Sequence, residues 1–240
     1  MAHNFPYRIL PLSDSSVLID FGNTISPEIN DRVLGLYHSF RNNPFPGMIE
    51  AVTAYSSLAV FYDIIKIYKL NPGILSAFEW IKTEIENSLF HLVSVPTSPS
   101  RIMRIPVCYD LSYAPDLHAV SEITNFSTTE IIQIHTSKTY RVYMLGFMPG
   151  FPYMGELDEK LVLPRKANPV KVLNGSVGIA GKQTGIYPFD SPGGWYIIGR
   201  TPVKIFDPSR EVPVSIAAGT EIQFYPITEH EYQNYQGGNS

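Results

Sequence analysis

The sequence predicts an α+β protein in which a small N-terminal α/β sandwich domain, residues 1–96, precedes an all-β, barrel-like domain, residues 97–240. Strands and amphipathic helices alternate in the first part, as in layered α/β domains. Short extended segments with frequent turns fill the second part, which is typical of β-barrels. A segment rich in proline and serine separates the two parts and has no apolar periodicity.

The first part begins with a predicted β-hairpin and a well-marked helix. Ser26 is a suitable N-cap before Pro27, and apolar residues then recur at helical spacing until Asn42. Two further extended pieces lie between Met48 and Asp63, and a second helix is predicted over residues 72–89. The hairpin strands cover residues 8–12 and 16–21, joined by the polar turn at 14–15.

The second part begins with a predicted strand over residues 101–107, followed by two short helices and another strand. The helices are expected at 121–123 and 128–135, and the strand at 139–145. Ten of the seventeen glycines lie between residues 146 and 199, and turns separate three further extended pieces in and just after this range. Those pieces cover residues 177–180, 194–199 and 203–206.

The composition favours a globular protein of the cytoplasm and excludes several other classes. Hydrophobic residues make up 44% of the 240 residues, charged residues 17%, and the net charge is only −4. Such a chain can bury a large core and has no nucleic-acid-binding charge pattern. Without a leader-like start or an apolar run of about 18 residues, neither export nor membrane insertion is expected. The single cysteine, Cys108, cannot form an intrachain disulfide and fits a reducing compartment.

The loops between residues 145 and 202 predict a ligand pocket. Rigid prolines beside permissive glycines fix irregular loops whose backbone can approach a ligand closely. The pair Gly193 and Gly194 is of this kind, and aromatic side chains nearby would supply apolar walls. The alternative interpretation is a barrel that is closed by tight turns and plugged by aromatic residues. The expected wall residues are Phe147, Phe151, Tyr153 and Trp195.

Polar candidates fall in the same region. Arg165, Lys182 and Arg200 carry cations suited to carboxylate or phosphate groups, although each alone is also typical of a surface charge. Gln183 and Tyr187 would add neutral hydrogen bonds.

His135 is the one histidine with a candidate chemical role. It ends an apolar helix just before the glycine-rich region, so it is either a proton carrier or a satisfied, semi-buried structural residue. The spacing of the histidines gives no zinc site, and no metal site is predicted.

These residues together resemble a known family. The segments 143–153, 164–165, 175–177, 185–188, 191–195 and 199–202 are similar to the KipI/PxpB family, which is also described as allophanate hydrolase subunit 1 or carboxyltransferase subdomains C and D. Residues 50–58 and 105–109 extend the resemblance to nearly the whole chain. The resemblance implies an N-terminal α/β domain joined to a cyclophilin-like β-barrel.

The resemblance implies three functions from different classes. The first is a subunit of a bacterial 5-oxoprolinase, which acts with PxpC-like and PxpA-like companions and opens 5-oxoproline to glutamate with ATP and magnesium. In that case Arg165, Arg200 and His135 are the expected catalytic residues, and the nucleotide site is expected to be shared with a partner. The second is an inhibitor of a sensor histidine kinase, and the third is a carboxyltransferase component of a urea-processing system.

Overall fold

The computed structural model describes residues 6–91 and 102–236, and the chain divides into two compact units, Met1–Pro99 and Ser100–Ser240. The domain boundary predicted after residue 96 lies outside the described residues. No helix within the two described ranges is long and apolar enough to cross a bilayer.

The first unit is built on a four-stranded antiparallel sheet. Its spatial order is β1-β2-β4-β3, so the N-terminal hairpin is extended by a second hairpin. Buried apolar residues on the central strands, such as Ile19 and Leu58, face each other directly in the register. The strands are β1 Arg8–Ser13, β2 Ser16–Asp20, β3 Met48–Thr53 and β4 Ser57–Tyr62.

The helices of the first unit begin at side-chain caps. Helix α1, Pro27–Asn42, starts as expected, because the Ser26 hydroxyl accepts the backbone N–H of Ile29 at 3.3 Å. Val33, Leu36 and Phe40 on one face of α1 are buried in the core of this unit.

The helix predicted over residues 72–89 begins too early, because a turn occupies the first residues of that range. Helix α2 covers Ile64–Leu70, which the sequence did not predict, and helix α3 covers Ala77–Phe90. Asp63 caps the first and Ser76 the second. Between the two helices the chain turns at Gly73, which has a positive φ of 95°. Apolar residues at helical spacing continue into the turn, so the sequence pattern predicted the start of α3 several residues too early.

The second unit contains a closed seven-stranded barrel, which confirms the predicted fold class. Around the barrel the strands run β10-β7-β6-β13-β5-β12-β9. All described neighbours pair antiparallel except β5 and β13, which run parallel. The strands are β5 Met103–Cys108, β6 Thr139–Leu145, β7 Pro152–Gly155, β9 Ser176–Ala180, β10 Gln183–Ile186, β12 Tyr196–Arg200 and β13 Glu221–Ile227.

A two-stranded ribbon and three α-helices complete this unit. The ribbon pairs β8, Val170–Val172, with β11, Ser191–Gly193. Helix α5, Thr128–Ser137, opens with a capping box in which Ser127 and Glu130 exchange hydrogen bonds. The other helices are α4 Leu117–Thr124 and α6 Glu229–Gln233.

The extended piece predicted over residues 203–206 is not a strand. The backbone N–H of Val203 bonds the hydroxyl of Thr201 at 3.2 Å, and Phe206 makes only an isolated bridge to Val214. Prolines at 202 and 208 flank the segment and remove two backbone donors.

Four short strands of the second unit were not predicted as such. Strands β7, β8, β10 and β11 have only three or four residues, too few for a clear alternation of apolar and polar residues.

Candidate binding cavity

An open cavity of about 480 Å³ lies in the second unit. This volume is within the range of small-molecule sites, roughly 300–1,000 Å³. The cavity is formed by the β6–β7 loop, the segment before β8, and the ribbon strand β11 with the bend that follows it. Its lining residues are Phe147, Phe151, Tyr153, Arg165, Lys166, Ala167, Pro169, Tyr187, Ser191, Pro192, Gly193, Gly194 and Trp195.

The aromatic wall is organised around Phe151. Its side chain is 1% exposed and makes edge-to-face contacts with Tyr187 and Trp195, at centroid distances of 5.1 Å and 5.4 Å. Tyr153 packs against the same ring at 4.8 Å. Such pairs each add about 0.5–1.5 kcal/mol beyond their buried area. The wall around Phe151 is therefore closely packed, and all four predicted aromatic wall residues, Phe147 included, line the cavity.

Phe147 sits at the cavity in an unusual backbone conformation. Its φ is 65°, and the N–H of Met148 bonds the carbonyl of Gly146 at 2.7 Å across it, which closes a three-residue turn. A bulky residue rarely adopts a positive φ. The ring is 68% exposed and contacts Phe151 edge-on at 5.9 Å. The tight turn thus holds a largely exposed aromatic ring at the cavity.

Tyr187 and Gly193 form a close contact in the cavity wall. A Cβ at Gly193 would lie 2.5 Å from the Tyr187 hydroxyl oxygen and 2.8 Å from Cγ2 of Val172, so only glycine fits there. At Gly194 the nearest atom to an added Cβ is the Lys166 carbonyl oxygen at 3.7 Å, an ordinary contact. Burial raises the pKa of Tyr187 to about 12, although the Trp195 backbone N–H and the Arg165 charge oppose the shift. Tyr187 is therefore a neutral phenol at physiological pH.

Two adjacent cations line the cavity but differ in their partners. Lys166 Nζ donates to Asp116 Oδ2 at 2.6 Å, and the same carboxylate oxygen accepts the Ile197 N–H at 2.7 Å. Arg165 is exposed and makes no hydrogen bond or ion pair within residues 6–91 and 102–236. Its charge acts on the phenols of Tyr153 and Tyr187, whose pKa values it lowers against the larger effect of burial. Arg165 is therefore available to an anionic ligand.

Sequence reasoning missed two polar residues of the lining, Lys166 and Ser191. Lys166 follows Arg165 in the sequence, and its partners are distant: its Nζ pairs with Asp116, fifty positions away, and lies 5.5 Å from the centroid of the Tyr196 ring. Ser191 opens the Ser-Pro-Gly-Gly-Trp segment, and its Oγ is buried without a hydrogen-bond partner among the described residues. The Ser-Pro-Gly-Gly-Trp segment is recognisable in the sequence, but nothing in the sequence indicates that the hydroxyl of its serine is buried.

His135 lies in the barrel core and not in the cavity lining. Its side chain has no exposed surface, and its ring stacks on Phe224 with centroids 4.8 Å apart. Nδ1 is 2.8 Å from the Tyr109 hydroxyl, and Nε2 is 3.0 Å from Thr184 Oγ1.

These contacts assign the neutral tautomer of His135. Because Thr184 Oγ1 donates its proton to the Gly178 carbonyl at 3.1 Å, Nε2–H must donate to Thr184. Nδ1 then accepts from Tyr109. Burial lowers the pKa of His135 to about 3. A ring with both nitrogens occupied and no exposed surface cannot pass a proton directly to a ligand in this conformation.

Three further candidates also lie outside the cavity lining. Arg200 is half-buried, and its Nε donates to the Asn174 carbonyl at 2.6 Å. Lys182 is exposed in the two-residue turn that joins β9 to β10, next to Gly181 with its φ of 56°. Gln183 begins β10, where it pairs with Ala180. The structure thus brings Arg165, Tyr187, Gly193, Gly194 and the aromatic residues together, but not His135, Lys182, Gln183 or Arg200.

The cavity by itself does not have the residues of a magnesium–nucleotide site. Magnesium in such sites is bound by carboxylates and phosphates, and no residue lining the cavity is acidic. Within residues 6–91 and 102–236 no group of three or more histidine, cysteine, aspartate and glutamate side chains could hold a metal ion. A complete nucleotide site therefore needs groups from outside this cavity.

The second unit thus combines a closed barrel with an open aromatic cavity and an exposed arginine that has no partner in the described ranges. The family model described as carboxyltransferase domain, subdomain C and D, matches residues 7–216, and the chain belongs to this family.

Named relatives of the chain fall into two groups. The chain is 43% identical over 236 residues to a 5-oxoprolinase subunit of Bacillus subtilis, covering 96% of this chain and 97% of that one. It is 27% identical to urea amidolyase of Saccharomyces cerevisiae over 91% of this chain, but it spans only 13% of that larger protein. Among solved structures, TTHA0988 matches with a TM-score of 0.75 and 34% identity, covering 89% of this chain and 40% of that one.

Proposed function

We propose that the chain is a subunit of a bacterial 5-oxoprolinase complex and that its cavity binds 5-oxoproline. The similarity to the 5-oxoprolinase subunit of Bacillus subtilis extends over nearly the full length of both chains. The observation that carries the assignment of the site is Arg165, a cation without a protein partner in the described ranges, beside an aromatic wall. 5-Oxoproline combines one carboxylate with a small, flat ring, and guanidinium groups bind carboxylates through paired donors.

The proposed reaction is the ATP-dependent opening of the lactam to L-glutamate. A lactam carbonyl is a poor electrophile. Transfer of the γ-phosphoryl group of ATP to the lactam oxygen would release ADP and activate the carbonyl carbon. Attack by water, cleavage of the ring C–N bond and loss of phosphate would then give glutamate. Arg165 would hold the substrate carboxylate, and the rings of Tyr153 and Trp195 would pack against the lactam ring and orient it, with one face of the carbonyl left open to the attacking water. The contribution of this chain is then binding and orientation, which can supply several kcal/mol of the barrier reduction.

We place ATP and magnesium at a site shared with the companion subunits, the PxpC-like and PxpA-like chains. The support is the lack of any acidic lining residue in the cavity. Lys182 is exposed and Arg200 half-buried, so both could still act on phosphoryl oxygens through a surface completed by a partner. His135 is proposed as a structural residue, because its ring is fully buried and fully hydrogen-bonded.

The direct test is ATP-dependent release of glutamate from 5-oxoproline by the reconstituted complex. We expect activity that disappears when this chain is omitted and falls at least about tenfold in Arg165→Gln, since a charge-assisted contact contributes about 1.5–3 kcal/mol. Arg200→Gln in the same assay tests whether Arg200 acts on phosphoryl oxygens at a site completed by a partner subunit. Unchanged turnover would remove Arg200 from that site.

A verified, folded complex without activity would overturn the proposal. The kinase-inhibitor and carboxyltransferase functions would then be examined with a cognate histidine kinase and with carboxybiotin.

A further inference from the structure

Ser191 places a buried hydroxyl without a partner in the cavity wall. The residue lines the cavity, and its Oγ makes no hydrogen bond within the described part of the chain. The backbone of Ser191 already pairs with Val172 in the ribbon, so the strand does not need this hydroxyl. Leaving a buried donor unpaired is unfavourable, and a native protein keeps such a group where something else satisfies it.

The other polar groups of the lining are already engaged, apart from Arg165. Lys166 is bound to Asp116, Tyr187 receives the backbone N–H of Trp195, and Tyr153 also has an interaction within the protein. Arg165 and Ser191 are therefore the two polar side chains of the lining, one cationic and one neutral, for which the described residues supply no partner.

We propose that Ser191 is a specificity-determining residue that donates its hydroxyl proton to a neutral carbonyl of the ligand while Arg165 binds the carboxylate. The inference rests on the proposed function in one respect, since the carbonyl is then the lactam oxygen of 5-oxoproline. Serine has three staggered rotamers, and the proposal requires the one in which Oγ leaves its buried position and faces the bound acceptor.

The arrangement explains how the cavity would reject similar acids. A carboxylate without the ring carbonyl satisfies Arg165 but leaves the Ser191 hydroxyl unpaired, and sites that hydrogen-bond a substrate group discriminate strongly against analogues that lack it. A lactam without the carboxylate has the opposite defect.

The experiment crosses two variants with three ligands that differ by one group each. Isothermal titration of the full chain uses 5-oxoproline, cyclopentanecarboxylate, which lacks the lactam, and 2-pyrrolidinone, which lacks the carboxylate. We expect Ser191→Ala to weaken 5-oxoproline about three- to tenfold, as for one neutral hydrogen bond, and to leave cyclopentanecarboxylate unchanged. We expect Arg165→Gln to weaken both carboxylates and to leave 2-pyrrolidinone unchanged.

Thermal melts separate a binding role from a structural one. Ser191→Ala removes an unsatisfied hydroxyl, so the melting temperature of the free chain is expected to stay the same or rise. The matched control is Ser215→Ala, which removes a hydroxyl that donates to the Ile205 carbonyl at 3.0 Å. The control is expected to lower the melting temperature and leave every affinity unchanged.

Four outcomes decide the matter. A loss in Ser191→Ala that depends on the lactam group supports the inference, and it does so even if the complex fails to turn over 5-oxoproline, which would overturn the proposed function alone. Equal losses for 5-oxoproline and cyclopentanecarboxylate would reduce Ser191 to a packing residue. An unchanged 5-oxoproline affinity would overturn the inference. Undetectable binding to the chain, with complex turnover that Ser191→Ala leaves unaltered, would overturn it while the proposed function stands.

Discussion

The barrel core around His135 and the cavity beside Arg165 differ in whether their polar side chains have hydrogen-bond partners. Both ring nitrogens of His135 are hydrogen-bonded, and its ring has no exposed surface. In the cavity, Ser191 Oγ and the Arg165 guanidinium have no partner among the described residues. A satisfied buried group contributes to folding, whereas an unsatisfied one at a cavity is available to a ligand. The comparison predicts that His135 is a structural residue and that Arg165 and Ser191 are binding residues.

The largest expected effect is on the core side of this comparison. His135→Leu leaves the buried Tyr109 hydroxyl without its acceptor, and we expect a loss of about 2–4 kcal/mol in the free energy of unfolding. Urea denaturation measures it, with His118→Ala as the control because His118 is an exposed histidine on α4. An unchanged stability would show that the core network is not structural.

The next largest effect concerns the cavity wall. Gly193→Ala forces a methyl group against the Tyr187 hydroxyl, and overpacking of this kind costs about 1–3 kcal/mol. Gly194→Ala is the matched control and is expected to fold as stably as the wild type, since its added Cβ meets only an ordinary contact. Thermal melts compare the two variants. Equal stabilities would contradict the close contact between a side chain at residue 193 and the Tyr187 hydroxyl.

The pH dependence of stability sharpens the assignment of His135. Its folded pKa of about 3 lies below the unfolded value of 6.5, so its contribution is fully present above pH 6.5 and is lost as the pH falls towards 3. Between pH 7 and 5.5 we expect a loss of about 1 kcal/mol, a window in which ordinary carboxylates remain ionised. Urea melts at both values measure it. A chain with His135→Leu should lose less over the same interval, and an identical loss would contradict the buried neutral ring.

Arg165 and Lys166 allow a smaller and more specific comparison. Lys166→Gln deprives Asp116 of its cation and is expected to cost about 1 kcal/mol of stability. Arg165→Gln removes no hydrogen bond or ion pair within the described residues, so the free energy of unfolding should change by less than about 0.5 kcal/mol. Paired denaturation curves test this, and a larger loss in the arginine variant would reveal a structural partner.

The smallest expected effect is at the exposed ring of Phe147. Because its φ is 65°, Phe147→Gly should be more stable than Phe147→Ala by about 1 kcal/mol, although both remove the same contact with Phe151. Thermal melts of the two variants measure the cost of a positive φ at residue 147, because both variants lack the ring. Equal stabilities would mean that the turn relaxes when the ring is removed.

The sequence predicted more of the fold than of the polar site. Caps such as Ser26 and long alternating strands are local signals, and they placed α1 and the first hairpin correctly. The cavity walls followed from an unusual density of glycine, proline and aromatic residues. The partner of a cation is a long-range property, so sequence could not distinguish Arg165 from Arg200, whose guanidinium is bound to the Asn174 carbonyl. Burial of His135 and Ser191 depends on barrel closure in the same way.

The most direct test of the account is the dissociation constant of 5-oxoproline for this chain. Trp195 lines the cavity and Trp80, the other tryptophan, lies in the first unit, so a Trp80→Phe chain reports on the cavity alone. We expect 5-oxoproline to change the Trp195 fluorescence saturably, with a dissociation constant that rises at least about tenfold in Arg165→Gln. An identical constant in the two chains would contradict the claim that the unpartnered groups of the cavity are its binding groups.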